Sequence, residues 1–130
     1  MKAIVLNEYG DSSHLKLAEI PEPKPGAGEI KVKVTAAGLN PIDWKLRSGD
    51  YKAFMPIQFP FVPGVDVSGQ VIELGPGVTH VDSKRLAGLA EAVKAGKFRL
   101  PVAKRFPLAE AASAQRLAEA GGIGKVLLKV

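Results

Sequence analysis

The sequence predicts an α+β fold, mainly β: a partly open antiparallel barrel or sandwich followed by two C-terminal helices, with no doubly wound nucleotide domain. Three observations carry this. Up to Val81 apolar residues alternate with polar ones between glycine and proline turns, the period of half-buried strands. From Lys84 onward they recur at helical spacing in two alanine-rich stretches. Nowhere does a Gly-x-Gly-x-x-Gly run open a helix, so the dinucleotide fingerprint is missing from these 130 residues.

Residues 2–7 ("KAIVLN") and 14–20 ("HLKLAEI") are bounded by "EYGDSS" and the proline-rich "PEPKPGAGE", and are expected to form a strand pair. In "EIKVKVTAAGL", Ile30, Val32 and Val34 share one face and Lys31, Lys33 and Thr35 the other, which predicts a half-buried antiparallel strand. "NPIDWKLRSGD" begins with a turn-initiating Asn-Pro and ends at Gly49. It predicts a short helix packed through Ile42, Leu46 and Trp44, with Lys45 and Arg47 as solvated charges. "FPFVPGVDVSGQVIELGPGV" is strand again, with Val65, Val67, Val71 and Leu74 interrupted by Gly64 and Gly69 and closed by Gly-Pro-Gly.

The second part starts with Asp82 or Ser83 as N-cap of a helix carrying Leu86, Leu89, Ala90 and Val93, stopped by Gly96. "KFRLPVAKRF" reads as a strand whose proline suits a sheet edge. Pro107 opens a second helix, "LAEAASAQRLAEA", ended by Gly121-Gly122 before a last strand, "KVLLKV".

Composition narrows the chemistry. The chain is 46% hydrophobic and 24% charged, as ordinary globular domains are, and no apolar run approaches the roughly 20 residues of a membrane span. "MKAIVLNEYG" is a poor signal peptide and a good first strand, which predicts a cytoplasmic protein with no membrane partner. With no cysteine, disulfides, thiolate nucleophiles and cysteine-bound zinc are excluded, and His14 and His80 have no metal-ligand spacing, so no metal is expected. The net charge of +5 is scattered rather than clustered and reads as a solvated surface, with no nucleic-acid partner.

Among the motifs, "GGIGK" at 121–125 lacks the spacing, the Ser/Thr and the following helix of a phosphate loop, and reads as a helix stop before a strand. "GLNPIDWKLRSGDY" at 38–51 is denser, setting an amide, a carboxylate, two cations and a phenol beside a strand end. Taken alone, Asn40 and Asp43 are turn and capping residues, and Tyr51 and Trp44 rim packing.

A resemblance changes that weighting. "VKVTAAGLNPIDWKLRSGDY", followed by "FPFVPGVDVSGQVIELGPGV", resembles the GroES-like substrate domain of the medium-chain dehydrogenases/reductases, in their zinc-independent quinone oxidoreductase branch related to zeta-crystallin. It covers residues 1–81, and "LAGLAEAVKAGKFRLPVAKRFPLAEAASAQRLAEAGGIGKVLLKV" resembles the C-terminal return of the same proteins. The chain then reads as one GroES-like domain assembled from residues 1–81 and 83–130, joined where a deletion removed the Rossmann domain and several substrate-domain strands.

The resemblance further implies that Asn40 stands where zinc-bearing relatives place a cysteine, and Gly64-Val65-Asp66 where they place Gly-His-Glu. In the zinc-free branch, which reduces quinones and enones with NADPH, Asn40 resembles the amide beside the nicotinamide. Asp43 resembles the acid supporting that loop, and Tyr51 the phenol facing the cleft, which would donate to a developing enolate oxygen. The catalytic candidates are thus Tyr51 and Asn40, and the vestigial cofactor-binding candidates Asn40 and Asp43. No bound cofactor is expected, because the Rossmann half that anchors NADPH is missing. Two outcomes are implied: an inactive substrate domain with a weak quinone or enone ligand, or a non-catalytic module that self-associates through strand edges left open.

Overall fold

The computed structural model describes residues 1–82, 84–122 and 124–130. The N-cap candidate Ser83 and Ile123 of "GGIGK" lie outside them; the other candidate, Asp82, accepts from the Lys84 N–H through its Oδ1 at 3.1 Å.

The expected strand pair is present: β1 (Lys2–Val5) runs antiparallel to β2 (Lys16–Glu19), with Ala3 opposite Ala18 and Ile4 opposite Leu17. A single 3-10 turn, Ser12–His14, separates them, capped by the Asp11 carboxylate on the Ser13 N–H at 2.7 Å. The remaining strands are β3 (Ile30–Gly38), β4 (Ser68–Leu74), β5 (Val102–Pro107) and β6 (Lys125–Lys129), in the order β4-β3-β6-β5. Strand β3 is antiparallel to β4 over its length and to β6 at its end, where Ala36, Ala37 and Gly38 face Lys129, Leu128 and Leu127. The last pair departs from an all-antiparallel arrangement, since β5 and β6 are parallel, as a strand–helix–strand connection requires. The sheet does not close, and the proline-bearing β5 lies at its edge as expected.

The helices are α1 (Pro41–Ser48), α2 (Lys84–Lys94) and α3 (Ala111–Ala120), the last preceded by a 3-10 turn at Leu108–Glu110. Helix α1 starts with proline at its first position and ends on Gly49, whose φ of 86° only glycine adopts without strain.

The core forms where the two parts of the chain meet. Ile4, Leu6 and Leu15 from the front pack with Phe106, Ala111, Ala114, Val126 and Leu128 from the return. Leu6 and Ala114 are completely buried. Outside this core, every residue of β4, which pairs with β3 on the side away from β6, is exposed, and Leu86, Leu89 and Val93 of α2 are exposed too. Expected strand positions Val65 and Val67 precede β4 and are likewise exposed.

Candidate functional site

The site grows from the junction of β3 and α1. Asn40 is the N-cap of α1 in extended conformation, and the Asp43 carboxylate reaches back one turn to accept from its backbone N–H at 2.8 Å. The capping reading of these two residues therefore describes their backbone role. Their side chains do more. The Asn40 amide donates to the Gly38 carbonyl at 3.5 Å, and its oxygen accepts from the ammonium of Lys125 at the start of β6. Lys125 also contacts the Asp66 carboxylate at 3.0 Å. Four groups thus converge at the sheet end: an amide, an ammonium and two carboxylates, contributed by three separate stretches of chain.

Their electrostatics differ by burial. Asp43 is almost fully enclosed, and burial pushes its carboxyl up, against the opposing backbone hydrogen bond from Asn40, with the nearby Asp66 charge adding to the rise. Asp66 sits at the surface, where the Asn40 amide first and the Lys125 ammonium second hold its carboxyl below the usual range. Two carboxylates side by side are pushed in opposite directions. Gly38 makes the approach feasible: a Cβ there would stand 2.7 Å from Lys125 Cε and 2.9 Å from Asp66 Oδ2.

Tyr51 lies elsewhere. Its hydroxyl pairs with Lys45 Nζ at 3.2 Å, and its ring packs on Phe54 with centroids 4.7 Å apart. Among the described residues no hydrogen bond joins Tyr51 to Asn40, so the two catalytic candidates belong to separate clusters. Lys45, expected as a free charge, is that hydroxyl's partner.

Arg47 corrects the sequence reading more sharply. It is 3% exposed, not solvated, and its guanidinium donates to the Gly10 carbonyl at 3.2 Å and to Glu119 of α3 at 3.0 Å. The buried positions of α1 are Asp43, Leu46 and Arg47, while Ile42 and Trp44 are only half-buried. Gln115 was not singled out from the sequence, and Lys125 entered only as the last residue of "GGIGK" and the first of "KVLLKV". Lys125 lies 85 positions from Asn40, and no local pattern links them. Among the described residues, no three His, Asp or Glu side chains converge as a metal site.

The antiparallel β3–β4 pair, the helix entered through Asn-Pro and the returning β6 define a class of domain, which comparison with known proteins specifies. Residues 26–97 match the family model described as alcohol dehydrogenase GroES-like domain. This is more than half of the chain, which therefore belongs to that family, and within it the chain is of the quinone oxidoreductase type of the medium-chain dehydrogenases/reductases. It is 43% identical over 81 residues to the chloroplastic quinone-oxidoreductase QR1 of Triphysaria versicolor, an alignment covering 62% of this chain and 25% of that one. A mycobacterial quinone oxidoreductase of known structure is 44% identical, with a TM-score of 0.56 over 61% of this chain and 23% of the other. The Escherichia coli quinone oxidoreductase, solved with NADPH, is 30% identical with a TM-score of 0.56 over 63% and 24%. The chain spans about a quarter of the length of the relatives it matches.

Proposed function

We propose that the chain is the substrate domain of an NADPH-dependent quinone or enone oxidoreductase, without its cofactor-binding half and inactive or nearly so by itself. The two resembling parts, residues 1–81 and 83–130, are taken to form one domain joined at a deletion, and the shared core of β1, β6 and α3 supports that. The observation that carries the reading is the state of Asn40. In the role the resemblance assigns, its amide would meet the nicotinamide. Here the amide oxygen is held by Lys125 and the nitrogen by Gly38, while Tyr51 is tied to Lys45. With no glycine-rich phosphate turn in these 130 residues, the residues present do not fit NADPH, most of whose affinity comes from pyrophosphate and ribose contacts.

A fluorescence titration of the chain with NADPH, with and without a simple quinone, tests this. No saturable change is expected in either arm. Steady NADPH consumption that Asn40→Ala or Tyr51→Phe abolishes would overturn the assignment of inactivity.

A second reading rests on the bare strand and helix. Val71, Ile72 and Leu74 of β4 and Leu86 and Leu89 of α2 are exposed, and β4 is an edge strand with no second neighbour among the described residues. Such surfaces recruit partners, so the same domain would serve as a non-catalytic assembly module that pairs with its own copies. Neither reading involves nucleic acid or a membrane. No helix among the described residues is long and apolar enough to cross one. A cytoplasmic location goes with both readings.

A further inference from the structure

Beneath the β1–β2 ribbon, bounded by β3 and the C-terminal return, lies a cavity of about 870 Å³, within the size range of small-molecule sites. Its walls are mainly apolar, built from Ala3 and Ile4 of β1, Val32 and Val34 of β3, and Leu108 and Leu128 of the return. Four lysines and two glutamates, exposed or half-buried, also line it, and two polar side chains are fully enclosed, Asp43 and Gln115, which are 1% and 2% exposed. Each keeps one oxygen without a hydrogen-bond partner, Asp43 Oδ1 and Gln115 Oε1. The other Asp43 oxygen is already engaged by the Asn40 N–H.

Buried acceptors without donors are costly, and nearly all such groups in folded proteins have a partner. Here both line one roomy space, so the missing donor is something that enters it. At the enclosed end, away from the exposed charged residues, an anion would meet two acceptor oxygens, and a cation would give up its hydration against aliphatic walls. A neutral hydroxyl on an apolar body suits the walls and supplies a donor to one of the two acceptors.

We propose that this cavity binds an uncharged, mostly apolar small molecule bearing a hydroxyl donor, of the alkylphenol or aliphatic alcohol class. The hydroxyl donates to Gln115 Oε1, and the apolar body lies against Ile4, Val34 and Leu128. Neither Asn40 nor Tyr51 lines the cavity, and it shares only Asp43 with the site residues of the oxidoreductase reading.

Calorimetric titration of the whole chain with para-butylphenol and with its methyl ether, which has the same body and no donor, tests the proposal. The phenol is expected to bind saturably and about tenfold more tightly than the ether, the scale of one buried hydrogen bond. Gln115→Met should bring the two affinities within about twofold while leaving ether binding in place. Methyl NMR of the unmutated chain supplies a check that needs no variant: phenol-induced shifts should centre on Ile4, Val34 and Leu128. The proposal is overturned by absence of binding, by equal affinities for phenol and ether, by a preference that survives Gln115→Met, or by shifts centred on α2. An affinity that rises with protein concentration would likewise overturn it, by placing the phenol between copies.

Discussion

Arg47 shows what one side chain does in this fold. Its stem and head are buried between the 3-10 turn after β1 and α3, and its two ends bond Gly10 and Glu119. Arg47→Met keeps the stem and removes both bonds, leaving the Gly10 carbonyl without this donor. Glu119 is well exposed, so the ion pair itself is screened and adds little. The loss expected in urea unfolding is about 2 kcal/mol, mainly from the uncompensated carbonyl and the vacated site. A change under about 0.5 kcal/mol would return Arg47 to the class of surface charges. The sequence hid this role because a cation on a short helix is ordinarily a solvated one, and its partners lie 37 and 72 positions away. Asn40 and Asp43 were easier to read, since a capping pair three residues apart is a local pattern. Lys125 was not, because a lysine at the head of a strand carries no mark of what it will meet across the sheet.

Strands and helices were largely legible from their periods. The alternation of Ile30, Val32 and Val34 predicted β3, helical spacing predicted α2, and helix-forming residues between Pro107 and Gly121 predicted α3. Period, however, specifies which face is apolar and not whether anything covers it. Ile30 is 38% exposed although it heads the apolar face, and α2 presents Leu86 at 71%. These uncovered faces should make the chain associate. Light scattering at tens of micromolar protein, an order-of-magnitude choice, is expected to show a dimer or larger species. Val71→Lys combined with Leu86→Lys should return a monomer, because charge on an edge strand or an apolar face opposes pairing. A clean monomer from the unmutated chain would remove the assembly reading.

At the scale of the molecule, the question is whether the two parts fold together. The core answers through its membership: Leu6 from the front is enclosed by residues that include Phe106, Val126 and Leu128 of the return. One cooperative transition is therefore expected in a thermal melt, coincident by far-ultraviolet circular dichroism and by Trp44 fluorescence. Leu6→Ala, at a site with no exposure, should lower that single transition by an amount corresponding to about 3 kcal/mol. Two separated transitions would show that the parts melt independently. The sequence by itself determined the elements, their order, the family pattern in residues 1–81 and the exclusion of cysteine chemistry, because period, turn residues and composition act over short range. Only the tertiary structure decided that Lys125 reaches Asn40 and Asp66, that Arg47 is buried, and that Asp43 and Gln115 share a cavity. Those facts depend on β6 returning beside β3, a pairing between residues about ninety positions apart whose partners are set by packing and not by any neighbouring residue.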